Sequence, residues 1–358
     1  MMLTRRTLAH AAFGTLAAAA MPAAAKAPAR PIVIAHRGAS GERPEHTLMA
    51  YRLAIEEGCD FIEPDLVVTR DGALVVRHEN EISGTTDVAA RPEFAARRTA
   101  KTVDGEAVEG WFTEDFTLAE LKTLRARERL PKLRPGSAAY DGQETIATFQ
   151  EVVDLAKAES RRTGRTIGVY PEMKHPTYMA TMGLPIEGRL ARALKDNWLD
   201  GRDAPVFVQC FEVAPLKTFA MLSRARRVQL VSAEGGPADR AGTLYAQMLT
   251  PQGLKEIAAY ADGLGPDWAL ILPTAADGSL GAPTSLVADA HAAGLAVHPW
   301  TVRAENRYLP PALRRGEGEA AHGDAEAVLK ALYAAGVDGV FSDFPGLAVK
   351  ALTQIVGA

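Results

Sequence analysis

The sequence predicts an α/β fold, a (β/α)8 TIM barrel, and three observations carry that reading. Short β-branched runs alternate with longer stretches of helical period from Pro31 onward. Eight such runs can be counted with helical stretches between them, the alternation that a closed parallel barrel needs. Histidines, carboxylates and basic residues fall where the runs end, on the face where barrels of this kind carry their sites.

The first run is Ile32-Val33-Ile34-Ala35, followed by a helix from Thr47 with Leu48, Tyr51 and Ile55 on one face and Gly58 as its stop. Phe61-Ile62-Glu63 is the second strand. Asp71-Gly72 then separates Leu66-Val67-Val68 from Leu74-Val75-Val76, an aspartate–glycine hairpin signal. Later strands are expected at Ile167–Tyr170, Val206–Gln209, Val228–Val231, Gly263–Gly265, Leu295–His298 and Gly339–Phe341. Helices are expected near 143–160, 187–197, 213–223, 251–260, 284–293 and 324–335. The open doubly wound alternative would need a glycine-rich phosphate loop after an early strand, and none is present there. The stretch from Val76 to Ile167 is too long for one crossover. Its polar turns and scattered aromatics (Trp111-Phe112, Pro131 to Gly136) read as an insertion between strands two and three, over 79–160, within a single barrel domain at 31–356.

Residues 1–27 read differently. Arg5 and Arg6 precede an almost wholly small or apolar run from Ala11 to Met21, with small-x-small cleavage patterns at Ala23–Ala25 and Ala25–Ala27. This is the pattern of an export signal, too short to span a bilayer; an alanine-rich helix packed on the domain is the alternative. The paired arginines resemble the twin-arginine signal of bacterial export, so a periplasmic location is expected. No cysteine follows the run, and no later segment is long and apolar enough to cross a membrane. Without residues 1–27 the chain carries 37 basic and 44 acidic side chains, a formal charge of −7 that offers nucleic acid no electrostatic attraction. Cys59 and Cys210, both in apolar strand surroundings, are expected as buried free thiols. A homodimer is compatible with the sequence and not required by it.

The candidate chemistry follows from placement. Glu63 and Asp65 are two apart at the end of strand two, so both side chains point one way. With Glu172 at the end of strand three they form a carboxylate cluster whose mutual repulsion calls for a cation or for basic partners in Arg37 and Lys174. All-oxygen donors suit a hard divalent ion, Ca2+ first and Mg2+ as the alternative. Glu45, in the turn before the first helix, could complete the metal shell or bind a substrate hydroxyl, while the helix cap falls to Thr47 or to the neighbourhood of His46. Arg37 and Lys174 would hold a phosphoryl group. His36 and His78, each close behind one of the first two strands, are the acid–base candidates because imidazole titrates near neutrality. Trp300 and Phe344, at the ends of strands seven and eight, are candidates for an apolar wall and equally for the core. His175 is expected to shape the third loop, and His291 and His322 to lie at the surface.

These positions together resemble the glycerophosphodiester phosphodiesterases, particularly the periplasmic bacterial type. The resemblance runs from about residue 32 to 346 through Ile34–Gly41, Pro44-Glu45-His46-Thr47, Glu63-Pro64-Asp65-Leu66, His78, Glu172-Met173-Lys174, His298–Thr301 and Ser342–Pro345. Pro64 between the two acids is its departure, and His46 stands where many relatives have asparagine, a difference the periplasmic type shares. The resemblance implies a divalent ion on Glu63, Asp65 and Glu172, usually calcium, with His36 and His78 as acid–base pair and Arg37 on phosphate. It implies hydrolysis of glycerophosphocholine, glycerophosphoethanolamine or glycerophosphoglycerol to glycerol 3-phosphate and an alcohol. Attack by the neighbouring glycerol hydroxyl through a cyclic phosphate, with His36 as base and His78 as acid, is favoured over direct attack by water. The competing readings are a phospholipase of the same superfamily, which should show an apolar lip, and a phosphodiester-binding protein, to which two acid–base histidines would bring nothing.

Overall fold

A computed structural model describes residues 30–357. The export-signal segment at 1–27 lies outside the described residues. In chain order the elements are β1 (Ile32–His36), α1 (Leu48–Glu56), β2 (Phe61–Glu63), β3 (Asp65–Val68), β4 (Leu74–Val76), β5 (Thr99–Val103), β6 (Glu106–Gly110), α2 (Leu118–Leu121), α3 (Pro135–Ala138) and α4 (Phe149–Thr163). There follow β7 (Gly168–Val169), β8 (Glu172–Met173), α5 (Pro176–Thr181), α6 (Ile186–Asp196), β9 (Phe207–Cys210), α7 (Val213–Leu222), β10 (Arg226–Val231), α8 (Tyr245–Met248) and α9 (Pro251–Ala258). The chain ends with β11 (Gly263–Pro266), α10 (Leu286–Ala292), β12 (Ala296–Val297), α11 (Ala325–Ala334), β13 (Gly339–Ser342) and α12 (Pro345–Val356).

The barrel strands are parallel, as alternation with helices requires. They fall into two ladders, β13-β1-β2-β7 and β12-β11-β10-β9-β8-β3-β4. Prolines cause the division. Pro64 separates β2 from β3 and Pro171 interrupts the next strand between β7 and β8; proline has no N–H to give a ladder. Each broken strand pairs with one ladder below the proline and the other above it. Parallel bridges Val169–Val206 and Val302–Ser342 close the ring. The expected β-hairpin is present: β4 runs antiparallel to β3 across Asp71-Gly72, with Leu66 opposite Val76.

Inside the barrel Ile34, Phe61, Tyr170, Phe207, Val228 and Phe341 form a plug of their own. Tyr170 and Phe207 stack with centroids 5.0 Å apart, and the Tyr170 hydroxyl is 2.8 Å from the buried His298 ring, so its polar end has a partner. A larger apolar layer lies between the strands and the outer helices. Phe94, Trp111, Phe116, Leu121 and Leu124 of the segment between β4 and α4 belong to that same layer, so this segment packs on the barrel with no separate core.

Helix starts follow capping chemistry. Thr47 accepts from the Ala50 N–H as expected. The helix expected from 143 begins at Phe149 instead, because Thr148 and Glu151 form a reciprocal capping box that fixes the start, and Gly164 in the left-handed region ends it. Cys59 and Cys210 are buried free thiols.

Candidate active site

The loop after β1 is tightly formed. Arg37 (φ 60°) and Gly38 (φ 85°) are both left-handed, turning the chain so that the Arg37 N–H donates to Glu63 Oε2 at 2.9 Å. Gly38 passes against α1 so closely that a Cβ there would lie 2.7 Å from the Ala50 carbonyl carbon. The strand end therefore delivers His36, Arg37 and the α1 entry turn together.

Glu63, Asp65 and Glu172 converge, with one oxygen of each within 4.8 Å of the others. All three are buried. Glu63 is fully enclosed and also accepts from Gln209 Nε2 at 3.1 Å. Asp65 Oδ2 accepts from His46 Nε2 at 2.9 Å, and its Oδ1 is buried without a hydrogen-bond partner. Glu172 Oε1 accepts from Lys174 Nζ at 2.9 Å. Burial, with Asp65 and its neighbours as added negative charge, pushes Glu63 well above the usual carboxylate range. Burial likewise pushes Glu172 up to about 8, against the pull of Lys174. Asp65 is held well below its usual range despite burial, by Lys174 and by the His46 hydrogen bond. Three buried carboxylates with too few cations, and an unpartnered oxygen among them, fit a hard divalent ion.

Glu45 is placed apart from this cluster. Its carboxylate is bridged by Arg37, 3.1 Å away, and by Arg129 from the inserted segment. Burial opposes its charge, but those two arginines hold it well below the usual range. Arg37 thus sits between Glu45 and Asp65, 3.3 Å from the latter.

The two histidines face one cavity of about 270 Å³, whose wall also includes Arg37, Glu172, Lys174 and Trp300. His36 Nδ1 is 2.5 Å from Asp343 Oδ1. Asp343 is fixed in turn by Arg134 Nη2 at 2.5 Å and Arg303 Nε at 2.9 Å. Arg134 is buried and also donates to Glu305 (2.5 Å) and to the Ser40 carbonyl (3.0 Å). His78 Nδ1 lies 2.6 Å from Glu79 Oε1, and its Nε2 accepts from Lys174 Nζ at 3.2 Å. Burial and the nearby Arg37 lower His36 to about 4, outweighing Asp343. Burial, Arg37 and Lys174 hold His78 well below its ordinary value. Both rings are therefore neutral at pH 7 in the protein alone, each with a carboxylate beside Nδ1.

Trp300 lines the cavity, its Nε1–H donating to the Gly265 carbonyl at 2.9 Å and its ring meeting Phe211 edge-on at 5.6 Å. Phe344 is not among the lining residues. Its ring fills the space over Gly41, where a Cβ would lie 2.3 Å from it, and meets His322 edge-on at 4.9 Å. Residues with a part in the site that sequence reasoning did not single out are Asp343, Arg134, Arg303, Gln209 and Glu79. Asp343 and Gln209 had a signal, their places at the ends of strands.

The family model described as "Glycerophosphoryl diester phosphodiesterase family" matches residues 36–347. A glycerophosphodiester phosphodiesterase of Arabidopsis thaliana is 35% identical over 332 residues, covering 88% of this chain and 84% of its own length. One from Haemophilus influenzae is 31% identical over 351 residues, covering 90% of each. Among solved structures, an Oleispira antarctica phosphodiesterase in complex with the product sn-glycerol-3-phosphate superposes with a TM-score of 0.58 at 23% identity, over 90% of this chain and 97% of that one. The match spans every strand end that carries the site, and the chain belongs to the glycerophosphoryl diester phosphodiesterase family of enzymes.

Proposed function

We propose that this enzyme hydrolyses glycerophosphodiesters to glycerol 3-phosphate and an alcohol, with His36 and His78 as its proton-transfer pair. The observation that carries the reading is the pair of neutral histidines, each with a carboxylate at Nδ1, facing one cavity that also holds Arg37 and Lys174. Family membership and the product bound by the Oleispira antarctica relative support the substrate class.

Arg37 and Lys174 would take the phosphoryl oxygens, the planar fork of the first fixing orientation and the ammonium of the second adding charge where charge develops. His36, with Asp343 beside Nδ1, keeps its Nε2 lone pair free to accept a proton from the glycerol hydroxyl next to phosphorus. Asp343 would then stabilise the imidazolium formed, the service a carboxylate gives a catalytic histidine. His78, neutral in the protein alone, would take up a proton when the anionic phosphodiester binds and deliver it to the departing choline, ethanolamine or glycerol oxygen; water would then open the cyclic phosphate with the roles reversed. Direct attack by water is the alternative order of events. Trp300 and Phe211 exclude water from one side of the cavity.

Glu63, Asp65 and Glu172 would hold a divalent cation, Ca2+ before Mg2+, which when bound neutralises the carboxylates and lowers the cost of charge on the phosphoryl group. We also infer export to the periplasm by the twin-arginine route, supported by Arg5-Arg6 and the apolar run behind them. Cell fractionation of the wild type and of an Arg5→Lys, Arg6→Lys variant tests it; unchanged cytoplasmic recovery of both would contradict it. No helix among the described residues is long and apolar enough to cross a membrane.

The assay is incubation with glycerophosphocholine and measurement of glycerol 3-phosphate, with and without chelator and with His36→Ala. Turnover that chelator and the substitution both abolish is expected. Absence of turnover by the metal-replete wild type would refute the activity.

A further inference from the structure

The inserted segment reaches the second histidine as well as the first, by a route that starts at a hairpin turn. β5 and β6 pair antiparallel, Val103 opposite Glu106, around Asp104-Gly105. Asp104 (φ 48°) and Gly105 (φ 89°) are both left-handed, the geometry of a tight two-residue hairpin. Across from this turn stands His175, also left-handed (φ 46°), directly before Pro176 at the first position of α5. That twist aims the ring out of the loop that carries Glu172 and Lys174 and toward the hairpin.

Both ring nitrogens of His175 meet carboxylates. Nδ1 is 2.6 Å from Asp104 Oδ2 and Nε2 is 3.0 Å from Glu79 Oε2. The other oxygen of Glu79 lies 2.6 Å from His78 Nδ1, a charge contact outside hydrogen-bond geometry. Two carboxylate partners require two N–H donors, so the ring is an imidazolium. Burial works against that charge, but the hydrogen bonds to Asp104 and Glu79 outweigh it and push His175 up to about 9. Glu79 has the most exposed side chain of the series, 45% accessible, so without His175 its carboxylate has several rotamers open to it. The hairpin has a second anchor that does not involve His175. Glu114, just beyond β6, accepts from the Tyr178 hydroxyl at 2.6 Å and from Lys101 Nζ at 3.0 Å.

We propose that His175 is a positioning residue that holds Glu79, and through it the His78 ring, in the register set by Asp104 at the tip of the inserted hairpin. The proposal rests on His78 moving a proton in the reaction proposed above. It gives the insertion a role in proton transfer, since the hairpin turn fixes which way a group of the barrel points. It also predicts a sign. Removing the cation at 175 leaves Glu79 less neutralised beside His78, so the proton affinity of His78 rises.

The test compares the full-length wild type with His175→Ala, Asp104→Ala, Asp104→Glu and the double alanine variant. The first readout needs no substrate: the ring ¹⁵N shifts of His78 across pH. An upward-moved titration in His175→Ala is expected, and a titration identical to wild type would overturn the proposal. The second is steady-state hydrolysis of glycerophosphocholine across pH. For His175→Ala we expect kcat to fall about tenfold with KM little changed, a fraction of the roughly 10²–10⁴-fold that a placed acid–base group supplies. Asp104→Ala should give a smaller loss, Asp104→Glu should recover part of it, and the double variant should match His175→Ala, because Asp104 acts through that ring. Additive losses, or a fall in kcat that merely follows the folded fraction with the pH profile unmoved, would show a role in folding alone. Absence of turnover in the wild type would refute the activity proposed above while leaving the ¹⁵N comparison to decide the clamp.

Discussion

At the scale of single residues, the site is a set of charges kept out of water and balanced against one another. His36→Ala removes the proposed proton-transfer group, whose neighbours, Asp343 and Arg37, keep their own partners. A loss of roughly 10²–10⁴-fold in kcat with a melting temperature close to wild type is expected from activity and thermal denaturation measured together. Glu172 gives a stability prediction. Its folded-state pKa is raised to about 8, so the fold retains a proton that the unfolded chain releases near pH 4.3, roughly. Its stabilising contribution is therefore present at low pH and is lost as pH rises through about 8. His36 and His78, both lowered, are already neutral in folded and unfolded states above about pH 7 and do not mask this. Chelated protein should melt at progressively lower temperature between about pH 6.5 and 8.5, and added Ca2+ should raise the melting temperature most at the upper end. Glu172→Gln should flatten the slope in part, since His175, raised to about 9, loses stability in the same direction over this range; an unchanged slope in that variant would assign it wholly elsewhere.

At the scale of elements, the short turns after the strands carry more than the strands themselves. Gly38 illustrates the constraint, since its φ of 85° and its contact with the Ala50 backbone leave no room for a side chain. Gly38→Ala should cost roughly 1–3 kcal/mol in denaturant unfolding and weaken phosphate binding, because relief must come from moving either α1 or Arg37. Thr148→Ala, which opens the capping box of α4, should cost about 1 kcal/mol in the same measurement and leave kcat unchanged, as α4 carries no site residue. The barrel strands and most helices between them were legible in the sequence because periods of two and of 3.6 are local, whereas the β5–β6 hairpin, α5 and α12 were not expected. Glu63 and Asp65 were legible as a pair for the same reason. The dyad of His36 with Asp343 joins residues 307 apart, and Arg134 reaches Asp343 across 209. Nothing in Pro131 to Gly136, which reads as a polar turn, marks Arg134 as a buried cation under the active site. Glu45 was legible as a site residue, but the structure gives it to Arg37 and Arg129 rather than to the carboxylate cluster. Phe344, placed by sequence at a strand end, fills the space that Gly41 leaves instead of the cavity wall.

At the scale of the whole molecule, the barrel brings strand ends together and the inserted segment holds them in register. Arg129 on Glu45, Arg134 on Asp343 and Asp104 on His175 are three of its grips, each ending on a group at or beside the cavity. The breaks at Pro64 and Pro171 lie just below the carboxylates of β3 and β8, so the two ladders meet where the cluster is built. Asp65 pairs directly with Glu172 in the β3–β8 register, which is why their carboxylates share one point in space. The proposed reaction needs that cluster and the two histidines together. Its most direct test is glycerol 3-phosphate released from glycerophosphocholine by wild type, by His36→Ala and by His78→Ala, each with Ca2+ and with chelator. Release by the Ca2+-loaded wild type alone is predicted; equal release by either histidine variant, or full release in chelator, would contradict it.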